Sequence, residues 1–120
     1  MVKSVLIADD QAMIRQTLCY LFASQQDFEV CGEAENGLEA VEMAQVLRPD
    51  LILLDLSMPM AACQLKRLMP MVPIIVFSEY SDVFSEREAR SRGISGIVSK
   101  TEHLSVLLDK ARAALSSTAA

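Results

Sequence analysis

The chain lacks what would tie it to a membrane, to nucleic acid or to a crosslinked scaffold. No apolar run approaches the roughly 20 residues that a membrane-spanning helix needs. Lysine and arginine total 11 against 16 aspartates and glutamates, a formal net charge of -5, and they nowhere form a block. Phosphate contacts need clustered bases, so no nucleic-acid surface is expected on this chain. The three cysteines, Cys19, Cys31 and Cys63, are odd in number, far apart and set among apolar neighbours. They make neither a disulfide framework nor a metal site and read as core thiols of a reducing compartment. The single histidine, His103, offers no nucleophile–base pair, and no glycine-rich phosphate loop follows the first apolar run. Met1-Val2-Lys3 passes at once into strand-like residues, unlike a secretory leader. A cytoplasmic chain is therefore expected, with no membrane partner and no turnover of an external substrate.

What is present is a construction that repeats. Leu51-Ile52-Leu53-Leu54 is a short unbroken apolar run of the kind buried on both faces of a parallel sheet, and Asp55 follows it. Val5-Leu6-Ile7-Ala8 runs into Asp9-Asp10, Ile74-Ile75-Val76-Phe77 into Ser78, and Ile94-Ser95-Gly96-Ile97-Val98 into Ser99-Lys100. In an open parallel α/β sheet the carboxyl ends of the strands share one edge, where ligands bind. Three carboxylates, a hydroxyl and an ammonium are therefore expected to meet there. Each has a blander reading alone: Asp9 and Asp10 as helix caps, Ser78 as a loop serine, Lys100 as a solvated lysine.

Between the strands the spacing turns helical. Residues 11–24 carry Met13, Ile14, Leu18, Leu21 and Phe22 toward one side. The partly alternating stretch 28–34 suits a strand near the sheet edge. Asn36 with Glu39 three residues on is a helix-opening signature, and a helix to about Leu47 would bury Leu38, Ala40, Val41, Ala44 and Leu47. Arg48 before Pro49 ends it. A third helix of about two turns is expected over 61–68, with Leu65, Leu68 and Cys63 inward. A fourth is expected over 82–92, capped by Ser81-Asp82 and stopped at Gly93. A last one, capped by Thr101, has His103 in its first turn and Leu104, Leu107, Leu108, Ala111 and Leu115 inward. Met58, Met60, Met69 and Met71 read as packing filler. Five strands alternating with five helices call for a doubly wound α/β domain over 1–115, with 116–120 a frayed tail or the start of a linker.

Ile7-Ala8-Asp9-Asp10, Leu53-Leu54-Asp55-Leu56-Ser57-Met58-Pro59, Phe77-Ser78 and Val98-Ser99-Lys100 resemble the receiver domains of two-component response regulators. Residues 29–37 look most like the subfamily that usually carries a C-terminal helix-turn-helix domain. The resemblance implies a flavodoxin-like (βα)5 fold with strand order 2-1-3-4-5. It implies Asp55 as phosphoacceptor, and Mg2+ held by Asp10 directly, Asp9 through water, Asp55, and the Ser57 backbone carbonyl. Lys100 would pair with phosphoryl oxygens, and Ser78 would donate its hydroxyl to the phosphoryl group. The implied partners are a cognate histidine kinase or phosphotransfer protein, and a second copy through the face of 82–92 and 103–115.

Three departures bear on function. The segment from Asp55 to Ser78 is shorter than usual, with Met60-Ala61-Ala62-Cys63 where a glycine-bearing turn is expected, which implies a shortened or displaced third helix. The switch position three residues before Lys100 is usually aromatic and here is Ile97, so Tyr80 is a candidate for part of that role. Glu79 adds a charge beside Ser78. A phosphorylated switch is therefore set against a degenerate receiver that serves as a constitutive protein-binding module.

Overall fold

The structure is a computed structural model that describes residues 1–55, 57–78, 93–100 and 102–118, apart from the side chains of Pro59, Ser78, Ser117 and Thr118. Its elements are β1 (Lys3–Ala8), α1 (Ala12–Ala23), β2 (Phe28–Ala34), α2 (Gly37–Leu47), β3 (Leu51–Asp55), α3 (Pro59–Leu68), β4 (Ile74–Ser78), β5 (Gly96–Ser99) and α4 (Leu104–Thr118). The five strands form one parallel sheet in the order β2-β1-β3-β4-β5. This is the expected doubly wound order, with β2 at an edge.

Strand periodicity divides the core. Successive side chains point to opposite faces, so Leu6, Ala8, Ile52, Leu54 and Ile74 pack with α2 and α3, while Val5, Ile7, Leu51, Leu53, Ile75 and Phe77 pack with α1 and α4. β3 is buried at all of its positions because it has a covering layer on both sides.

The helices follow the expected boundaries more closely than the expected faces. In α1, Ile14, Leu18 and Phe22 recur every fourth residue and turn to the sheet, which leaves Met13 and Tyr20 on the solvent side. In α2 the seam is Ala40, Val41 and Ala44, and Leu38 and Leu47 are exposed, contrary to expectation. Asn36 Oδ1 accepts the Glu39 N–H at 2.8 Å, while Glu39 reaches back to the Glu35 N–H at 3.1 Å. At the other end Arg48 takes a left-handed conformation (φ 51) before Pro49.

α3 begins two residues earlier than expected and spans 10 residues, because Pro59 suits the first helical turn, where its missing N–H costs nothing. Ala61, Ala62 and Leu65 face the core, followed by Met69; Leu68 and Cys63 face outward, which corrects the expected face. Of the four methionines read as filler, Met58 and Met69 are buried and Met60 and Met71 are exposed. Gly37 lets the start of α2 approach α3, since a Cβ there would lie 3.2 Å from Ala61 Cβ.

Gly93 has φ 81, the conformation wanted after a helix, but the helix expected over 82–92 lies outside the described residues, as do Thr101 and half of the expected pairing face. His103 is the residue just before α4, and its Nδ1 accepts the Ser105 N–H at 3.2 Å. α4 runs on to Thr118.

Arg112 of α4 clasps the turn before β2. Its Nε and Nη2 donate to the two oxygens of Asp27 at 2.8 and 3.1 Å, and its guanidinium lies 5.6 Å from the Phe28 ring. The Arg112 bonds hold the Asp27 carboxyl below its usual range, so their contribution is full above the ordinary value of 3.8 and is lost as pH falls through the depressed one. Both side chains are over 40% exposed and screened, so Arg112→Ala is expected to cost about 1 kcal/mol, roughly 4 °C in Tm, at pH 7. Thermal unfolding at pH 7 and in strong acid checks this: the deficit should shrink in acid.

Candidate functional site

The strand register brings the candidate residues to one level. Ala8 pairs with Leu54, so Asp9 follows β1 where Asp55 closes β3; Asp55 pairs with Phe77, and Ser78 with Ser99, the residue before Lys100. Because all five strands are parallel, these ends share one edge of the sheet. One carboxylate oxygen from each of Asp9, Asp10 and Asp55 lies within 4.8 Å of the others. Asp9 is 1% exposed and Asp55 7%, whereas Asp10 is exposed and stands at the mouth.

The two buried aspartates are held alike. Asp9 Oδ1 accepts the Gln11 N–H at 2.8 Å, and Asp55 Oδ1 accepts the Ser57 N–H at 3.2 Å, each a turn closed onto the residue two positions later. Both turn Oδ2 to the Lys100 ammonium, at 3.2 Å from Asp9 and 3.5 Å from Asp55. Lys100 is 9% exposed, and its Nζ lies 5.7 Å from the Phe77 ring centre, where a cation is favoured. The turn that carries it is closed by Glu102, whose N–H donates to the Ser99 carbonyl at 3.1 Å and whose carboxylate accepts the Ser99 N–H at 3.3 Å.

Among the described residues the charges do not balance: three clustered carboxylates have one ammonium beside them, which contacts Asp9 and Asp55. Asp9 Oδ2 is buried and completes no hydrogen bond among the described residues, with the Lys100 ammonium 3.2 Å away as its ion-pair partner. Burial above all, and then the neighbouring Asp55 charge, holds the Asp9 carboxyl above its ordinary pKa, against the opposing pull of the Gln11 amide and Lys100. The orphaned acceptor, the excess negative charge and the all-oxygen donor set fit a hard divalent cation. A groove of about 330 Å3 opens beside Asp10, with Glu35, Ser57 and Met60 along its walls.

Among the sequence candidates, Asp9, Asp10, Asp55 and Lys100 converge, and Ser57 joins them through its amide. Ser78 closes β4 at the same edge. Tyr80 and Glu79 lie outside the described residues. Ile97 is 6% exposed in a small cluster with Val76 and Ile94, and its carbonyl accepts Lys110 Nζ at 2.7 Å. Sequence reasoning missed Arg15, whose Nη1 donates to the Asp9 backbone carbonyl at 2.8 Å. The available signal was its place in the first turns of α1, six residues after Asp9. It also missed Phe77 as the ring beside Lys100.

The profile of the family described as the response regulator receiver domain matches residues 5–112. Over 118 residues, 91% of this chain, the sequence is 40% identical to the protein-glutamate methylesterase/protein-glutamine glutaminase 3 of Paramagnetospirillum magneticum, of which it spans 33%. Over 83 residues, 65% of this chain, it is 46% identical to the uncharacterized transcriptional regulatory protein YhcZ of Bacillus subtilis, of which it spans 39%. The chain thus spans about a third of the length of these relatives. Among solved structures, the response regulator domain of Thermotoga maritima CheB superposes with a TM-score of 0.87 at 31% identity, covering 97% of this chain and 98% of that one. A LuxR-family two-component response regulator from Aurantimonas, at 22% identity and a TM-score of 0.88 over 98% of this chain and 87% of that one, shares the fold. With its five-stranded order, its acidic edge and a family match over nearly its whole length, this chain belongs to the receiver domains of two-component response regulators.

Proposed function

We propose that this receiver is a phosphorylation-dependent switch in which Asp55 accepts a phosphoryl group from a phosphohistidine donor, a histidine kinase or phosphotransfer protein, with Mg2+ bound at the acidic edge. The observation that carries this reading is the orphaned, buried Asp9 Oδ2 beside Asp10 and Asp55. Asp9, Asp10, Asp55 and the Ser57 carbonyl would hold the ion, which supplies charge compensation between donor oxygens and the acids.

The remaining chemistry belongs to the chain. A carboxylate oxygen of Asp55 forms an O–P bond as the donor P–N bond breaks; the imidazole leaves with the electron pair and takes a proton from solvent. Lys100, 3.5 Å from Asp55, exchanges that contact for the arriving phosphoryl oxygens. Ser78, at the end of β4, donates its hydroxyl to the phosphoryl group and passes the change to the surface beyond, with Tyr80 taking part. The product is an acyl phosphate on Asp55, and nothing is released but the donor's imidazole. The names of the relatives span a methylesterase/glutaminase and a transcriptional regulator, and transcription control is one output such a switch can serve.

Ile97 favours a second reading. Its aliphatic side chain is packed with Val76 and Ile94 and cannot swing as an aromatic ring does, which suits a constitutive protein-binding module. Intact mass after incubation with a small-molecule phosphodonor separates the two. A phosphoryl-sized gain that requires Mg2+ and is absent in chelator is expected; no gain in either condition leaves the binding module.

A further inference from the structure

The Asp9–Asp10 step is gripped from two sides. The Asp9 N–H donates to the Ala34 carbonyl of β2 at 3.1 Å, and its carbonyl accepts Arg15 Nη1 at 2.8 Å. Arg15 is itself fixed: its side chain is 13% exposed, its Nε donates to Glu33 Oε1 at 3.2 Å, and a second nitrogen stands 3.9 Å from Glu35. The Asp9 carbonyl and the Asp10 amide share one planar peptide unit. Holding that carbonyl therefore fixes the Asp10 Cα and the N–Cα axis from which its exposed side chain is built.

We propose that Arg15 is a positioning residue for the divalent cation, aiming Asp10 through the shared peptide plane while its fork is braced on Glu33. This rests on the reading of the acidic edge as a Mg2+ site. Mg2+ demands near-octahedral geometry, so a misdirected carboxylate is poorly tolerated. A charge role and a positioning role predict opposite signs. Removing a cation near three carboxylates would by charge alone tighten Mg2+ binding; removing an orienting group weakens it, commonly by 10-fold or more for partners beyond the ligands themselves.

The test is a MgCl2 titration at fixed ionic strength, followed by the amide resonances of Asp10, Gln11 and Ser57, on wild type and Arg15→Met, with thermal unfolding in chelator as the fold control. Arg15→Met is expected to weaken Mg2+ binding about 10-fold. A Kd equal to or tighter than wild type overturns the role of Arg15 while leaving the metal site standing. A wild type that does not bind Mg2+ overturns both. Should Arg15→Met not fold, Arg15→Lys carries the test, because it keeps the charge and the stem but has a single head that cannot bridge the Asp9 carbonyl and Glu33 together. A threefold or greater weakening then supports positioning, and an unchanged Kd overturns it.

Discussion

Asp55→Asn is expected to reduce phosphoryl uptake to the level of the chelator control while leaving the fold in place. The amide lacks the charge and nucleophilicity of a carboxylate, yet its oxygen still accepts the Ser57 N–H that Asp55 Oδ1 accepts. Stability should change by no more than about 1 kcal/mol in chelator, since the lost attraction to Lys100 at 3.5 Å is offset by relief of repulsion from Asp9 and Asp10. Intact mass and urea unfolding on the same sample read the two halves of this result. Uptake equal to wild type would move the phosphoacceptor away from Asp55, and a collapse in stability would make the variant uninformative about chemistry.

Lys100→Met should show the largest stability change at the site. It keeps the stem against Phe77 and removes the cation facing two carboxylates that are 1% and 7% exposed. Breaking a buried pair by deleting one partner costs several kcal/mol; with the site open on the Asp10 side, about 3 kcal/mol is expected in chelator at pH 8. The sign with pH follows from Asp9, whose carboxyl already sits above its ordinary pKa, mainly through burial. Without Lys100 it rises further. A raised carboxyl destabilises the fold when ionised and stops doing so once protonated, so the deficit should shrink toward acid pH. Mg2+ at pH 8 should restore part of it by supplying another cation. Urea unfolding at both pH values, with Mg2+ and with chelator, checks this, and a deficit under about 1 kcal/mol at pH 8 would show that Lys100 is solvated and not paired with the acids.

The family resemblance rested on residues readable in order: apolar runs closed by Asp9-Asp10, Asp55, Ser78 and Lys100. Runs of that kind specify buried parallel strands, and parallel strands put their carboxyl ends on one edge, so the meeting of the acids with Lys100 was legible before any coordinate. Helix limits were legible where local chemistry sets them, as at Asn36 and at Arg48 before Pro49. Helix faces were less so. Met13, Leu38 and Leu68 are apolar but stand outside the arcs that the sheet covers, and hydrophobicity alone does not tell which arc that is.

Composition and period determined the class of fold, the limits of β1 and β2 and the residue types at the sheet edge, because these depend on neighbours along the chain. By contrast, β5 starts at Gly96 and not at Ile94 as the apolar run suggested. Tertiary structure alone decided that Asp9 and Asp55 each spend one oxygen on an amide two residues on and turn the other to Lys100. It also brought Arg15 to the Asp9 carbonyl, and it buried Asp9 Oδ2 with no hydrogen bond among the described residues. Those features depend on angles and burial between elements distant in sequence. An orphaned acceptor exists only once the surrounding layers have closed over it and excluded water.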